Sequence, residues 1–567
     1  MGSVYIRQVV RKAKTGDVTY VQIAHNQWDP DKKRSVPTVV ANLGRVEEST
    51  ASQLRGLAHS CLRFLGETPT GGDTPRPEPV GSRPAGGAWV LDQLWRELRL
   101  DQAVTGAARK DRGRPKDMTR LERVVFGMVA DRALAPSSKL AGAGWMTMDV
   151  AIPGMPDQVS DDECYRAMDW LSLAGAGFAR RVYDQVADLL NLEVDLVFFD
   201  TTSTYWERET ADPVAPRDDE GQVCDPGDAA SLVGFRTWGK SKDHRPDLPQ
   251  IVVGMAVTRT GIPVRVWSWP GNTADSELIR QARKDLRDQT LSKVVYVGDR
   301  GFTSDDNRRA LMSGGDGYIL GEKLRSGSAE ATAALSRPGR YKRVAGNLEV
   351  KEVQIGSTDR FIVCFNPEQV PRDQAARARM VARLESLITA SDDLTASQRS
   401  ELKGRISTMP GPNRFLRVTP AGLLRVDKAK ITTEARLDGK YLLRTSDPNM
   451  STEDVALGYK QLLQVERGWR TMKSTLELRP VYHWLEHRIR AHVVLCWLSL
   501  LLIRIAETRA DQTWDTIRRE MQRLSEVTYQ TPDGTIRAHT KTTPAQKTIL
   551  GKLDLPSPAP VTVTPAA

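Results

Sequence analysis

The 567-residue sequence predicts an α/β core with a mixed sheet, preceded by a small β unit and a helical domain, and three patterns predict it. Two apolar runs, VDLVFFD from Val194 and KVVYVGD from Lys293, each end in a carboxylate, Asp200 and Asp299, as buried central strands do. Between them LPQIVVGMAVTR and GIPVRVWSW meet at Thr260-Gly261, which reads as a hairpin. Helical stretches, from about Ser276 to Arg287 and around Asn307 to Met312, separate the later strands, including GYILG at 317–321.

In chain order, residues 1–65 open with strand-like alternation over 4–45 and form a small β-rich unit. Residues 66–87 are Pro/Gly-rich and poor in apolar side chains, the composition of a flexible linker. Over 88–191 the period turns helical: Leu121, Val124, Val125, Met128 and Val129 make one apolar stripe, and Ser160 to Glu163 is a capping box. This stretch reads as one helical domain. Residues 192–324 form the first part of the core. Residues 325–440 break the α/β rhythm with short strands around a helical hairpin at 372–406, as an insertion would. The strand YLLRTS (441–446) returns to the main sheet, long helices run from 453 to 527, and 441–530 completes the core before a tail at 531–567.

Composition narrows the function. The hydrophobic fraction of 40% and charged fraction of 27% suit a globular chain. A net charge of +10 favours anionic partners. Five cysteines without a CxxC argue against a disulfide framework or a cysteine-zinc site. No apolar run reaches the roughly 18 residues of a membrane span, and Val493 to Ile503 reads as a buried helix. The N-terminus lacks a signal-peptide core. A soluble, cytoplasmic protein without a membrane partner is the expectation.

Carboxylates at strand ends emerge into the crevice where open α/β sheets do chemistry. If the strands of Asp200 and Asp299 are neighbours, the two acids need a cation between them, and oxygen ligands favour Mg²⁺ or Mn²⁺ over zinc. In YKQLLQVERGWRTMKSTLELRP, Tyr459, Glu466 and Lys473 recur every seven residues, about 10 Å apart along a helix and on one face. Trp469 and Arg470 follow Glu466 by one turn. A solvated face with ordinary charge pairs is the bland alternative.

FFDTTS, GKSKDHRPDLPQIVVGMAVTRTGIPV, VGDRGF and the Y-x6-E-x6-K spacing together resemble the DDE transposases of bacterial insertion sequences. They are most similar to the branch with a Tyr-Arg-Glu-Lys signature around the third acid. The resemblance covers about residues 195–510. It implies a ribonuclease H-like catalytic core, a mostly β insertion between the second and third acids, and Asp200, Asp299 and Glu466 as catalytic, metal-binding residues. Two Mg²⁺ ions, replaceable by Mn²⁺, would activate a water or DNA 3′-hydroxyl and stabilise the leaving oxygen. The partners implied are double-stranded DNA, as terminal inverted repeats and target, and a second copy of the chain to pair two ends in a bacterial nucleoid. Tyr459 and Lys473 match the signature, whereas its Arg falls on Leu462, for which Arg470 could compensate.

Other motifs give weaker signals. Lys240, Lys242, His244 and Arg245 form a basic cluster suited to phosphates. Arg112-Gly113-Arg114-Pro115 resembles a minor-groove arm, although a solvated basic loop fits equally. His483-Trp484-Leu485-Glu486-His487 matches the inverted zinc-protease motif without a surrounding protease domain. The alternatives to a cut-and-paste transposase are a transposase-derived DNA-binding protein and a structure-specific nuclease without strand transfer.

Overall fold

A computed structural model describes the chain except residues 1–3, 14–15, 30–33, 46–49, 66–77, 108–116, 190–194, 208–209, 288–293, 326–327, 357–358, 480, 482, 532–533 and 566–567. Two compact units emerge: Met1–Glu97 with Thr119–Cys164 and Ala506–Ala567, and Leu98–Met118 with Tyr165–Ile505. The helical stretch 88–191 is therefore divided between the two units instead of forming a domain of its own. Arg112 and Arg114 lie outside the described residues.

The second unit is built on a nine-stranded mixed sheet. Its strands are β1 (Leu196–Tyr205), β2 (Gln250–Val257), β3 (Pro263–Pro270), β4 (Val295–Gly298), β5 (Gly317–Glu322), β6 (Lys342–Ala345), β7 (Leu348–Ile355), β8 (Asp359–Phe365) and β9 (Lys440–Thr445). They lie in the order β6-β7-β8-β9-β5-β4-β1-β2-β3. β1, β2 and β3 are antiparallel neighbours, while β4 and β5 run parallel to β1. Every residue of β2 is buried, which explains its unbroken apolar sequence. The turn into β3 uses Gly261 at φ +83, where a side chain would be strained. Gly254 leaves room for an aromatic, since a Cβ there would stand 2.6 Å from the Trp269 ring.

Two sequence expectations need correction in this unit. β1 does not stop at Asp200: Thr201 to Tyr205 keep pairing with β2, and residues 201–204 are buried, so Asp200 sits mid-strand. The β-branched threonines sustain the extended chain despite their polarity. The strands of 325–440 are not a separate β unit. β6, β7 and β8 extend the main sheet because β9 pairs antiparallel with both β5 and β8. What does stand apart is a helical module, α3 (Val370–Ile388) and α4 (Ala396–Ser407), with its own core of Leu384, Ile406, Phe415, Leu416 and Leu424. Before it come α1 (Asp275–Arg287) and α2 (Asp305–Met312). After it come α5 (Thr452–Lys460), α6 (Leu463–Ser474) and α7 (Glu486–Ala510).

α7 is long and apolar enough to cross a membrane, contrary to the run-length reading, but 89% of its most apolar window is buried within the chain. It is a core helix.

The first unit holds a three-stranded antiparallel sheet of Val4–Ala13, Gly16–Asp29 and Arg34–Arg45. A second sheet joins Glu78–Pro84, Ser525–Thr531, Gly534–His539 and Val561–Pro565. The expected linker at 66–87 thus ends in an edge strand, and a helix starts at Gly86. The expected tail 531–567 is also structured, with a helix at Pro544–Leu553 whose capping box pairs Thr543 and Gln546. Both escaped detection because an edge strand is held by backbone bonds and needs few apolar side chains. The Ser160–Glu163 capping box forms as read, at 3.2 and 3.1 Å.

Candidate active site

Parallel pairing of β4 with β1 sets Val297 opposite Phe198. Asp299 follows the end of β4, two residues past Val297 as Asp200 is two past Phe198, and its charge reaches the Asp200 carboxyl. Burial pushes the Asp200 carboxyl up to about 6; Lys242 and the Thr201 backbone oppose the rise, and the charges of Asp299 and Asp275 add to it. Asp299 follows β4 directly, and its carboxylate accepts the Gly301 N–H at 2.7 Å. A Cβ on Gly301 would stand 2.9 Å from that oxygen.

Lys242 faces inward. Its ammonium donates to the Thr201 carbonyl at 2.6 Å and hydroxyl at 2.5 Å, and lies 3.3 Å from Asp275. Thr201 in turn donates to Asp275 at 2.8 Å. Lys242 therefore offsets the carboxylates of the site, a correction to its reading as a phosphate contact. Asp275, the first residue of α1, was not singled out from the sequence, where an acid in a first helical turn looks ordinary. Arg245 is also engaged, with Asp247 at 2.8 Å and over the Tyr205 ring at 5.2 Å.

The seven-residue spacing does not lie on one helix. Tyr459 is on α5, and Glu466 and Lys473 are on α6, separated by a tight turn. In that turn the Gln461 N–H reaches the Gly458 carbonyl and the Leu462 N–H reaches that of Tyr459, each at 3.0 Å. Leu462 packs inward, and no cation could stand in its place without burial. Tyr459 lies flat against Gly321 of β5, where any Cβ would overlap the phenol, and stacks on Tyr441 at 6.0 Å. Its phenol is raised by burial first and then by the charges of Asp299 and Glu466, so both acids act on one ring.

Glu466 is exposed in the first turn of α6, whose dipole favours a negative charge. Among the described residues no three His, Cys, Asp or Glu side chains stand close enough to hold a metal ion. The charge of Asp299 reaches the Asp200 carboxyl, whereas Glu466 is exposed and does not join them in one ligand set. Trp469 is 6% exposed and belongs to the core, which corrects its reading as a DNA contact. Arg470 is exposed. Lys473 pairs with Asp243 at 2.9 Å, and Arg479 meets the other oxygen of that carboxylate at 2.6 Å. Burial lowers the Lys473 ammonium against the pull of Asp243. Asp243 and Arg479 are further residues that the sequence did not single out.

A cleft of about 550 Å³ opens beside Asp299, lined by Arg300, Lys323, Lys440, Tyr441 and Tyr459 among others. The H-x-x-E-H motif makes no metal site. Glu486 is bound by Arg217 and Arg490, both at 2.8 Å, and His487 by Asp169 at 2.9 Å.

Residues 222–502 match the family described as the transposase DDE domain. This segment is similar to a transposase DDE domain. The matched segment contains Asp299 and Glu466, and Asp200 precedes its boundary on β1. No curated protein matches the chain. Among solved structures, a piggyBac transposase synaptic complex with hairpin DNA is similar over 77% of this chain and 78% of that one, at 11% identity and a TM-score of 0.34. The DDE domain carries the DNA-cleaving chemistry of transposases.

Proposed function

We propose that the chain is the transposase of a bacterial insertion sequence, binding the element's terminal inverted repeats and catalysing cut-and-paste strand cleavage and strand transfer. The observation that carries the reading is the electrostatic coupling of Asp200, on β1, with Asp299, just past the adjacent parallel strand β4 and within the segment that matches a transposase DDE domain. The strand order β3-β2-β1-β4-β5, three antiparallel and then two parallel, supports a ribonuclease H-like core.

The residues fit divalent metal ions. The donors are carboxylate oxygens, and Asp200 already bears the cost of neighbouring negative charge, which a cation would offset. Asp200, Asp299 and Glu466 are the proposed ligands of two Mg²⁺ ions, with Glu466 turning inward from the first turn of α6. Bound there, such ions lower the pKa of an attacking water or 3′-hydroxyl and stabilise a leaving oxygen. The chain's own groups arrange the site. Lys242 and Thr201 hold Asp275 beside Asp200, Tyr459 walls the side next to Asp299, and exposed Arg470 meets the DNA backbone. Above about pH 6 Asp200 is ionised and ready to bind a cation. Two copies of the chain would pair two element ends.

The test is a strand-transfer assay with precleaved ends, taken from the inverted repeats that flank the gene. Joining of those 3′ ends to a target duplex in Mg²⁺ is expected. Cleavage without joining would favour a structure-specific nuclease, and binding without either would favour a DNA-binding derivative.

A further inference from the structure

The helical module between β8 and β9 carries a net positive charge. Residues 366–439 hold 13 basic and 9 acidic side chains, so this stretch accounts for +4 of the chain's net +10. Several of its cations tie the module together: Arg377 pairs with Asp438, Arg414 with Glu434 and Arg425 with Asp392. Three others do not. Arg372, Arg379 and Arg383 of α3 are exposed, and none has an ion-pair partner among the described residues.

Their spacing is not random. Steps of seven and four residues at 100° each keep all three within about 40° of one another, over about 16 Å of helix. The rest of that face is Ala375, Ala376, Ala382 and Ser386, with no carboxylate. The helix's acids point elsewhere: Asp373 accepts from Gln369 and the Gly439 N–H, both at 2.9 Å, and Glu385 lies on the far side by the same helical projection. The buried stripe of Met380, Leu384 and Leu387 occupies a separate flank. Arg372 sits in the first turn, where a cation opposes the helix dipole, so helix stability does not account for it.

We propose that this arginine face of α3 is a second DNA-binding surface, taking the backbone of double-stranded DNA without reading its sequence. The proposal rests on the transposase reading for its choice of polyanion. Along one strand duplex DNA carries one charge per about 3.4 Å, so a face of this length spans about five phosphates. Guanidinium forks suit phosphate oxygens, and the alanines between them let the helix approach closely.

The experiment is a salt titration of the full-length protein on a mixed-sequence 40-bp duplex. The variant R372A/R379A/R383A should lose affinity, and its plot of log K against log[salt] should flatten by about 2.7, at about 0.9 per phosphate contact. R372K/R379K/R383K should keep a slope near wild type. All three sites are exposed, so the melting curves of both variants should overlay that of wild type. An unchanged slope in the alanine variant overturns the proposal, as it would if the face took an acidic protein. The outcome is separable from the fate of the proposed function. Wild type that joins DNA ends while the alanine variant keeps its slope sinks the arginine face alone. A flattened slope with no metal-dependent cleavage by wild type supports the face and sinks the transposase reading.

Discussion

Replacing Asp200 by Asn should make the metal-free protein more stable while abolishing its chemistry. The folded chain raises this carboxyl from its ordinary 3.8 to about 6, with burial as the largest cause, Lys242 opposing, and Asp299 and Asp275 adding. At about 1.36 kcal/mol per unit, that rise makes the ionised form cost about 3 kcal/mol. The sign follows from linkage. Between about pH 4 and 6 the native state holds a proton that the unfolded state has released, so stability falls as pH rises. The cost is absent below about pH 4, about 1.6 kcal/mol at pH 5, and complete above about pH 7. Asn has the same shape and no charge. In EDTA at pH 7.5, Asp200→Asn should melt a few degrees above wild type, and the gap should shrink by about half at pH 5. Adding Mg²⁺ should raise the melting temperature of wild type and leave the variant unchanged, because the ion binds the folded carboxylates. A variant that melts at or below wild type at pH 7.5 in EDTA would refute the reasoning.

Two other substitutions test packing and buried charge in the core. Gly321→Ala should destabilise by about 1–3 kcal/mol in urea unfolding, since its methyl overlaps the Tyr459 phenol; Tyr459→Phe in the same chain should recover part of the loss, and no recovery would place the clash elsewhere. Glu486→Ala should cost about 3–5 kcal/mol, because it leaves Arg217, 2% exposed, and Arg490 without their carboxylate. A neutral result would mean that this buried pair contributes nothing.

The parts of the fold that were legible in the sequence are those with strong periodicity or fixed turn chemistry. β2 and β4 announce themselves as apolar runs, and Thr260-Gly261 marks the hairpin because the turn requires a positive φ. The end of β1 was hidden, since Thr201 to Thr204 look like a loop yet are buried and paired. The edge strand Glu78–Pro84 was hidden for the opposite reason: its side chains are almost all exposed, and only its backbone bonds reveal it. At the site, the acids were visible in the sequence as carboxylates after apolar runs and on a helix, but their neighbours were not. Asp275, Asp243 and Arg479 take their roles from contacts with residues tens to hundreds of positions away. The Tyr459–Glu466–Lys473 spacing suggested one helix because no Gly or Pro lies between Tyr459 and Glu466, where the chain in fact breaks. The break at Gln461–Leu462 arises where Leu462 turns into the core.

The central claim is that Asp200, Asp299 and Glu466 act as one metal-binding unit, and it is tested most directly by Mg²⁺-dependent cleavage of element-end DNA. Asp200→Asn, Asp299→Asn and Glu466→Gln are each compared with Asp195→Asn. Asp195 precedes β1, half-exposed, and pairs on the surface with Arg259 at 2.6 Å, so its loss should cost under about 1 kcal/mol and leave cleavage near wild type. Each of the three site variants should still bind the DNA and lose both cleavage and strand transfer, because the same ions serve both steps. Robust Mg²⁺-dependent cleavage by any one of the three would contradict the account.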